Sequence, residues 1–488
     1  MIGHSGARVV ALAVVPAASP PPGLAPAREQ MALSLGWHIV LACFGVAFPA
    51  MIYVMHRRAI RRDDAVALEL AKRWSKVAAV LFAVGAVSGT VLSFEMGLLW
   101  PGLMRRFGDV LGLPFAVEGI AFFVEAIFLG IYLHGWGRLA PRTHLRTLLP
   151  VAAAGVVGSY CVVAVNAWMN APAGFTLAAD GKVTNVQPLA AMFNKASYLQ
   201  FAHMWVGAFM LVGFVVAAVY AVGMLRGRRD EHHRLGFVVP FAFASIAALC
   251  QPFVGHLTGL RLAKDQPSKL AAIELAPTTE RRAPLRIGGI IVDGRVRGAL
   301  TIPRLGSLLA TDSLDGTVPG LDQVPSADRP KVNAVHFAFQ TMVGIGSTLA
   351  VFAVVFWWRR RRRRDDWPRW LLRAAVLAGP AAIVALEAGW VTTELGRQPW
   401  IVYRVMRVVD AASSSSGLWW SFSAMVIIYA AMTVAATKVL LSMARRWRAG
   451  DPTDLPTPYG PHEPVLVGAS AATSSPDSPD SLGAPEAR

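Results

Sequence analysis

Polar and apolar residues alternate along this chain in long blocks rather than with the short period of a soluble amphipathic helix. Runs of about 20 mostly apolar residues, each long enough to cross a ~30 Å hydrocarbon core, recur at residues 35–55, 77–97, 115–135, 147–166, 200–225, 236–257, 334–358, 370–392 and 417–441. This pattern predicts an all-α polytopic membrane protein with about nine transmembrane helices. The domains expected are a dispensable Ala/Pro-rich leader at 1–30, helices one to six within 31–257, a long connection at 258–333, helices seven to nine within 334–448, and a Pro/Ser/Asp-rich disordered tail at 449–488. Inside the connection, GGIIVDGRVRGALTIP reads as a β-hairpin turning at Asp293-Gly294.

Charge sets the orientation. The connections HRRAIRRDD, GRLAPRTHLR, RGRRDEHHR and RRRRRRDDWPR are strongly basic and alternate with connections poor in Lys and Arg. The positive-inside bias then puts the N-terminus outside, the C-terminus in the cytoplasm and residues 258–333 outside. The net charge of +17 is thereby a topology signal and not a nucleic-acid face. Composition agrees, with 55% hydrophobic and 16% charged residues. Cys43, Cys161 and Cys250 all fall within predicted spans, and there is no CxxCH for covalent haem attachment.

With directions assigned, the ionisable residues of the spans gather on one side. His38, Glu118, His203 and His336 enter at the outer ends of their helices, and Glu95, His256 and Glu394 leave at theirs. Titratable groups are costly in lipid and mark functional sites. Glu118 and Glu125 are seven apart, as are Glu387 and Glu394. That spacing places two carboxylates on one helix face about 10 Å apart, as either a proton relay or a pair satisfied by neighbouring helices. His38 and His203, alone on apolar helices, are haem or metal ligands or hydrogen-bonded packing residues. Met342 lies at a depth similar to His203. A His/Met pair makes a low-spin electron-transfer haem, while on spacing alone a methionine here is more often a core residue.

GRQPW at 396–400, GTVLSFEMGLLW at 89–100, VEGIAFFVEAIF at 117–128, NAWMNAPAGF at 166–175 and QPSKLAAIE at 266–274 together resemble subunit I of the cytochrome bd family of quinol oxidases, from about Met31 to Arg448. The resemblance implies a bacterial inner-membrane enzyme that oxidises quinol at the outer face and reduces dioxygen to water with cytoplasmic protons. Its cofactors would be a low-spin haem b held by His203 and Met342, a high-spin haem b, and haem d or a third haem b. His38 and Glu394 match the ligands at the high-spin positions, and Arg397 and Trp390 match residues beside the haem propionates and rings. Glu118 and Glu125 match the proton-delivery carboxylates. Lys269 and Glu274 match the quinol contacts of the external segment called the Q-loop, which is short here. Gln340 stands where better-known members carry arginine, which resembles the cyanide-insensitive branch, some of whose members use haem b in place of haem d. The expected partners are subunit II, a small accessory subunit, quinol, dioxygen and membrane lipid. The competing readings are a haem anchor that passes electrons between quinone and a soluble partner without reducing oxygen, and a cation transporter without haem.

Overall fold

The computed structural model of the chain describes residues 20–363 and 367–450. Among them, nine helices are long and apolar enough to cross a membrane. In chain order they are α1 (Leu24–Arg62), α2 (Ala65–Leu99), α3 (Pro101–His134), α4 (Leu148–Asn170), α5 (Ser197–Leu225), α6 (Glu231–Asp265), α8 (Val332–Arg363), α9 (Arg369–Arg397) and α10 (Leu418–Ala449), with a short α7 (Pro267–Ile273) between α6 and α8. Each predicted span lies within one of these helices, to within one residue at its ends. The helices overrun the spans because their charged end turns keep the backbone bonded internally while standing outside the apolar zone.

The first difference lies at the start. α1 begins at Leu24, inside the segment expected to be a leader, and Gln30 is buried with its amide donating to Glu95 Oε1 at 2.8 Å. Its Ala/Pro composition hid the helix, because Pro26 falls in the first turn, where a missing N–H costs nothing. Residues 1–19 and the tail beyond 450 lie outside the described residues.

Helix ends are set by local chemistry. The α1–α2 turn forms at Asp63, whose φ is 50°, and Asp64, which caps α2. Asp64 Oδ1 accepts from the Ala67 N–H at 3.0 Å, and its Oδ2 pairs with Arg58 Nε at 2.6 Å. Asp230 caps α6 in the same way, accepting from the His233 N–H at 2.9 Å.

The main core joins α1, α5, α6, α8 and α9 through Phe48, Met51, Phe214, Phe237, Phe241 and Phe356. α5 packs on α6 and α9, α8 on α9, α1 on α2, and α3 on α4. α5 is the most enclosed helix, with 67% of its apolar window buried, whereas α2 and α10 bury 6% each and turn their apolar surface outward.

Between α6 and α8 the chain folds on itself. Strands β2 (Ile290–Val292) and β3 (Arg295–Arg297) pair antiparallel across the predicted two-residue turn, with Asp293 and Gly294 both at positive φ (51° and 74°), the conformation that suits a tight hairpin. A second pair, β1 (Leu285–Ile287) with β4 (Leu300–Ile302), extends it. α7 lies buried beneath.

Replacing Asp64 by Ala removes the α2 cap and the partner of Arg58. Cap loss costs about 1–2 kcal/mol, so the thermal midpoint of the purified protein should fall. An unchanged midpoint would show that the α1–α2 turn does not depend on this carboxylate.

Candidate active site

Four helices, α5, α6, α8 and α9, surround His203 and Met342. His203 Nε2 lies 3.2 Å from the amide nitrogen of Gln251 on α6, which also donates to the His203 carbonyl at 3.1 Å. The other ring nitrogen, Nδ1, is buried with no hydrogen-bond partner. Met342 on α8 presses its sulfur against α9 at Gly389, where an added Cβ would come within 2.8 Å of Sδ. Gly255 on α6 faces His203 in the same manner, at 3.5 Å from Cε1. One imidazole with an unused nitrogen and one thioether, each flanked by a glycine, form a donor set suited to a low-spin haem. Trp390, the neighbour of Gly389, is half-buried on α9.

His38 meets α2. Its Nδ1 lies 2.7 Å from Ser88 Oγ, and that hydroxyl donates its one hydrogen to the Gly85 carbonyl at 2.9 Å. With that hydrogen on Gly85, Ser88 accepts from Nδ1, and Nε2 then presents a lone pair suited to a metal. Gly89 admits the ring, since a Cβ there would sit 3.1 Å from Cε1. On other faces of α1, Gly36 faces Glu387 Oε2 at 3.4 Å and Gly45 faces Glu125 Oε1 at 3.3 Å. α1 thus meets Glu387 of α9, Ser88 of α2 through His38, and Glu125 of α3 at successive levels along its length. Glu387 Oε1 is buried without a partner.

Glu125 lines a small cavity walled by Phe44, Pro49, Ile52, Leu81 and Leu129. Its water-accessible space of about 20 Å³ holds roughly one water. Glu118 lies two turns nearer the start of α3, half-buried on the same helix.

The most continuous polar structure surrounds Glu394. Lys269 Nζ donates to Asn170 Oδ1 at 2.9 Å, Asn170 Nδ2 to Asn166 Oδ1 at 2.8 Å, and Asn166 Nδ2 to Glu394 Oε1 at 2.8 Å. Arg397 closes the line from the other end, its Nη2 being 2.5 Å from Glu394 Oε2. Gln266 adds a second donor to Asn170 Oδ1 at 2.8 Å. Arg397 is 3% exposed, and its Nε and Nη1 are buried without partners, which leaves a fork suited to a further anion such as a haem propionate.

Lys269 and Glu274 are not solvated loop residues. They are 4% and 7% exposed, on α7 and at its end. The Lys269 stem lies on α9, where a Cβ at Gly396 would fall 2.6 Å from its Cγ. Burial lowers the Lys269 ammonium to about 7, with Arg397 adding to the effect and Glu394 opposing it. Burial raises the Glu274 carboxyl to about 7 against the pull of Arg286. Glu274 Oε2 has no hydrogen-bond partner.

Other residues have structural partners. Glu95 is held by Gln30 and Ser34 at 2.8 Å each, and His256 pairs with Asp312 at 2.8 Å. His56, near the end of α1, is enclosed as well. It is 2% exposed, 3.1 Å from the Tyr132 hydroxyl, and packed against Trp136 and His144. Sequence reasoning did not single out Gln251, Ser88, Asn166, Asn170 or Gln266 as site residues. The Asn166/Asn170 pair, four apart on an apolar helix, was the one visible signal.

The sequence model for cytochrome bd terminal oxidase subunit I matches residues 26–447. A Bacillus subtilis (strain 168) protein provisionally named cytochrome bd menaquinol oxidase subunit I is 34% identical over 430 residues, spanning 86% of this chain and 96% of the relative. The cytochrome bd-II ubiquinol oxidase subunit 1 of Escherichia coli (strain K12) is 26% identical over 510 residues, covering 88% and 98%. The bd oxidase structure from Geobacillus thermodenitrificans superposes with a TM-score of 0.83 at 36% identity, covering 88% of this chain and all of that one. Haems are the cofactors of this family, and its subunit I works with a subunit II. The chain belongs to the cytochrome bd terminal oxidase subunit I family, multi-pass membrane oxidoreductases that act as quinol oxidases.

Proposed function

We propose that this subunit oxidises quinol beside Lys269 and Glu274 at the outer face and passes the electrons inward to dioxygen, which is reduced to water with protons from the cytoplasmic side. The observation that carries this reading is the buried line from Lys269 to Glu394, which joins the Q-loop to a candidate haem ligand at the end of α9. The bound haems supply redox-active iron and an open coordination position for dioxygen. His203 and Met342 would hold the low-spin haem b. His38, through its free Nε2, and Glu394 would serve a high-spin haem b and a third haem, either haem d or haem b. Arg397 would pair its spare nitrogens with a propionate, with Trp390 beside the ring.

Quinol oxidation releases two electrons and two protons. Glu274, with an unpartnered oxygen and a proton affinity near neutrality, can accept one of those protons and return it to the outside. Lys269, near neutrality as well, can donate a hydrogen bond to a quinone oxygen in either charge state. Four electrons and four protons turn one dioxygen into two waters, so two quinols are consumed. Glu125, in its one-water cavity, would take up cytoplasmic protons and Glu118 would pass them outward along α3. A haem anchor that merely relayed electrons has no use for carboxylates placed this way. The basic connections put the N-terminus outside and the C-terminus in the cytoplasm. Subunit II, a small accessory subunit and lipid would cover the apolar faces of α2 and α10.

Three outcomes follow. Met342→Leu should convert the low-spin haem signal to high spin in a reduced-minus-oxidised spectrum of the purified complex, and an unaltered spectrum would remove Met342 as a ligand. Glu125→Gln should slow oxygen consumption at saturating quinol by about a hundredfold while sparing that signal; normal turnover would end the relay assignment. The quinol KM should change slope near pH 7, where Lys269 loses its charge on going alkaline and Glu274 gains one. Glu274→Gln should remove the carboxylate's share of that bend, so a profile identical to the unsubstituted protein's would argue against quinol binding there.

A further inference from the structure

His336 is fully enclosed near the start of α8, with 0% exposure, and takes no part in the scheme above. Both of its ring nitrogens face backbone carbonyl oxygens. Nδ1 lies 2.6 Å from the Ile273 oxygen, and Nε2 lies 3.1 Å from the Gly288 oxygen. A carbonyl oxygen only accepts hydrogen bonds, and a neutral imidazole has a single N–H. In either neutral tautomer, one nitrogen would point its lone pair at an oxygen lone pair. Both contacts are hydrogen bonds only when both nitrogens carry hydrogen, that is, when the ring is an imidazolium. Charge-assisted bonds of this kind are the stronger ones and offset the burial of a cation.

The two carbonyls belong to the Q-loop. Ile273 ends α7 immediately before Glu274, and Gly288 joins β1 to β2. Two neighbours on the same face of α8 hold the same segment. Asn333 bonds both the N–H and the carbonyl of Ile291, at 2.9 and 3.1 Å, and Gln340 donates to the Arg286 carbonyl at 3.1 Å. Positions 333, 336 and 340 follow helical spacing. Of the three, His336 alone can change charge. The ionisable groups on the surrounding elements are Lys269 and Glu274 of α7, Arg286 of β1 with its partner Glu280 at 2.8 Å, and Arg397 and Glu394 at the end of α9.

We infer that His336 is a positioning residue for quinol oxidation: with a hydrogen on each ring nitrogen it clasps the Glu274 end of α7 and the hairpin to the Met342 helix. The inference rests on the assignment of quinol to Lys269 and Glu274.

The test uses the intact oxidase complex. His336→Gln places one amide nitrogen where two separated donors stood and cannot span both carbonyls. The quinol KM should rise about tenfold with the rate at saturating quinol nearly unchanged and the low-spin spectrum preserved. Trypsin added to the outer face should cut the hairpin at Arg295 and Arg297 faster in this variant. An unchanged KM with equal protection would overturn the inference. If Glu274→Gln left the quinol KM untouched while the trypsin pattern held, the quinol assignment would fall and the charged clasp would stand.

Discussion

Hydrocarbon offers no hydrogen-bond partner, and this constraint organises the whole molecule. Each polar group placed within a spanning helix must be answered by another helix or by a bound group. Glu95 is answered by Gln30 and Ser34, His38 by Ser88, and Glu394 by Asn166 and Arg397. The exceptions are informative in turn. His203 Nδ1, Glu387 Oε1 and two nitrogens of Arg397 are buried and unanswered, and they lie on the helices that carry the candidate haem ligands. Other buried atoms also lack a partner, among them Glu95 Oε2, Trp367 Nε1 and the Tyr429 hydroxyl, so it is the position of the first set, on the helices of the candidate ligands, that points to a cofactor.

Glycine works with that constraint. Gly89, Gly255 and Gly389 each present bare backbone to a candidate ligand, and Gly36 and Gly45 do so to two carboxylates. Where side chains must lie across a helix, the helix yields space by having none. The same economy appears at Gly396, where the Lys269 stem lies against α9 and carries the Q-loop down to the end of that helix.

Much of the architecture was legible in the sequence. Apolar runs marked each crossing and basic connections separated them, because lipid and water impose those two signals directly. Helix ends were less legible, since a charged turn outside the membrane is as helical as the apolar turn within it, and α1 accordingly begins inside a segment that reads as a leader. The Asp293-Gly294 hairpin was readable from its turn chemistry, whereas the second strand pair was not. Among site residues, His203 and Met342 stood out as costly or well-placed groups, but their roles came from family resemblance. Lys269 looked like a surface residue on a polar loop, and only the tertiary structure reveals its burial beneath that loop. Gln251 was silent because an amide on an apolar helix reveals its purpose only when its partner on another helix is known.

The line from Lys269 to Glu394 has one more consequence. Its two intermediate links are carboxamides, whose nitrogen only gives and whose oxygen only receives a hydrogen bond. Such a link cannot pick up a proton at one end and shed it at the other, as a carboxyl, an imidazole or a water can. The connection therefore transmits electric field but is closed to proton hopping. In the proposed cycle this line would give protons no path of its own between the site where quinol sheds its acid and the candidate haem ligand Glu394.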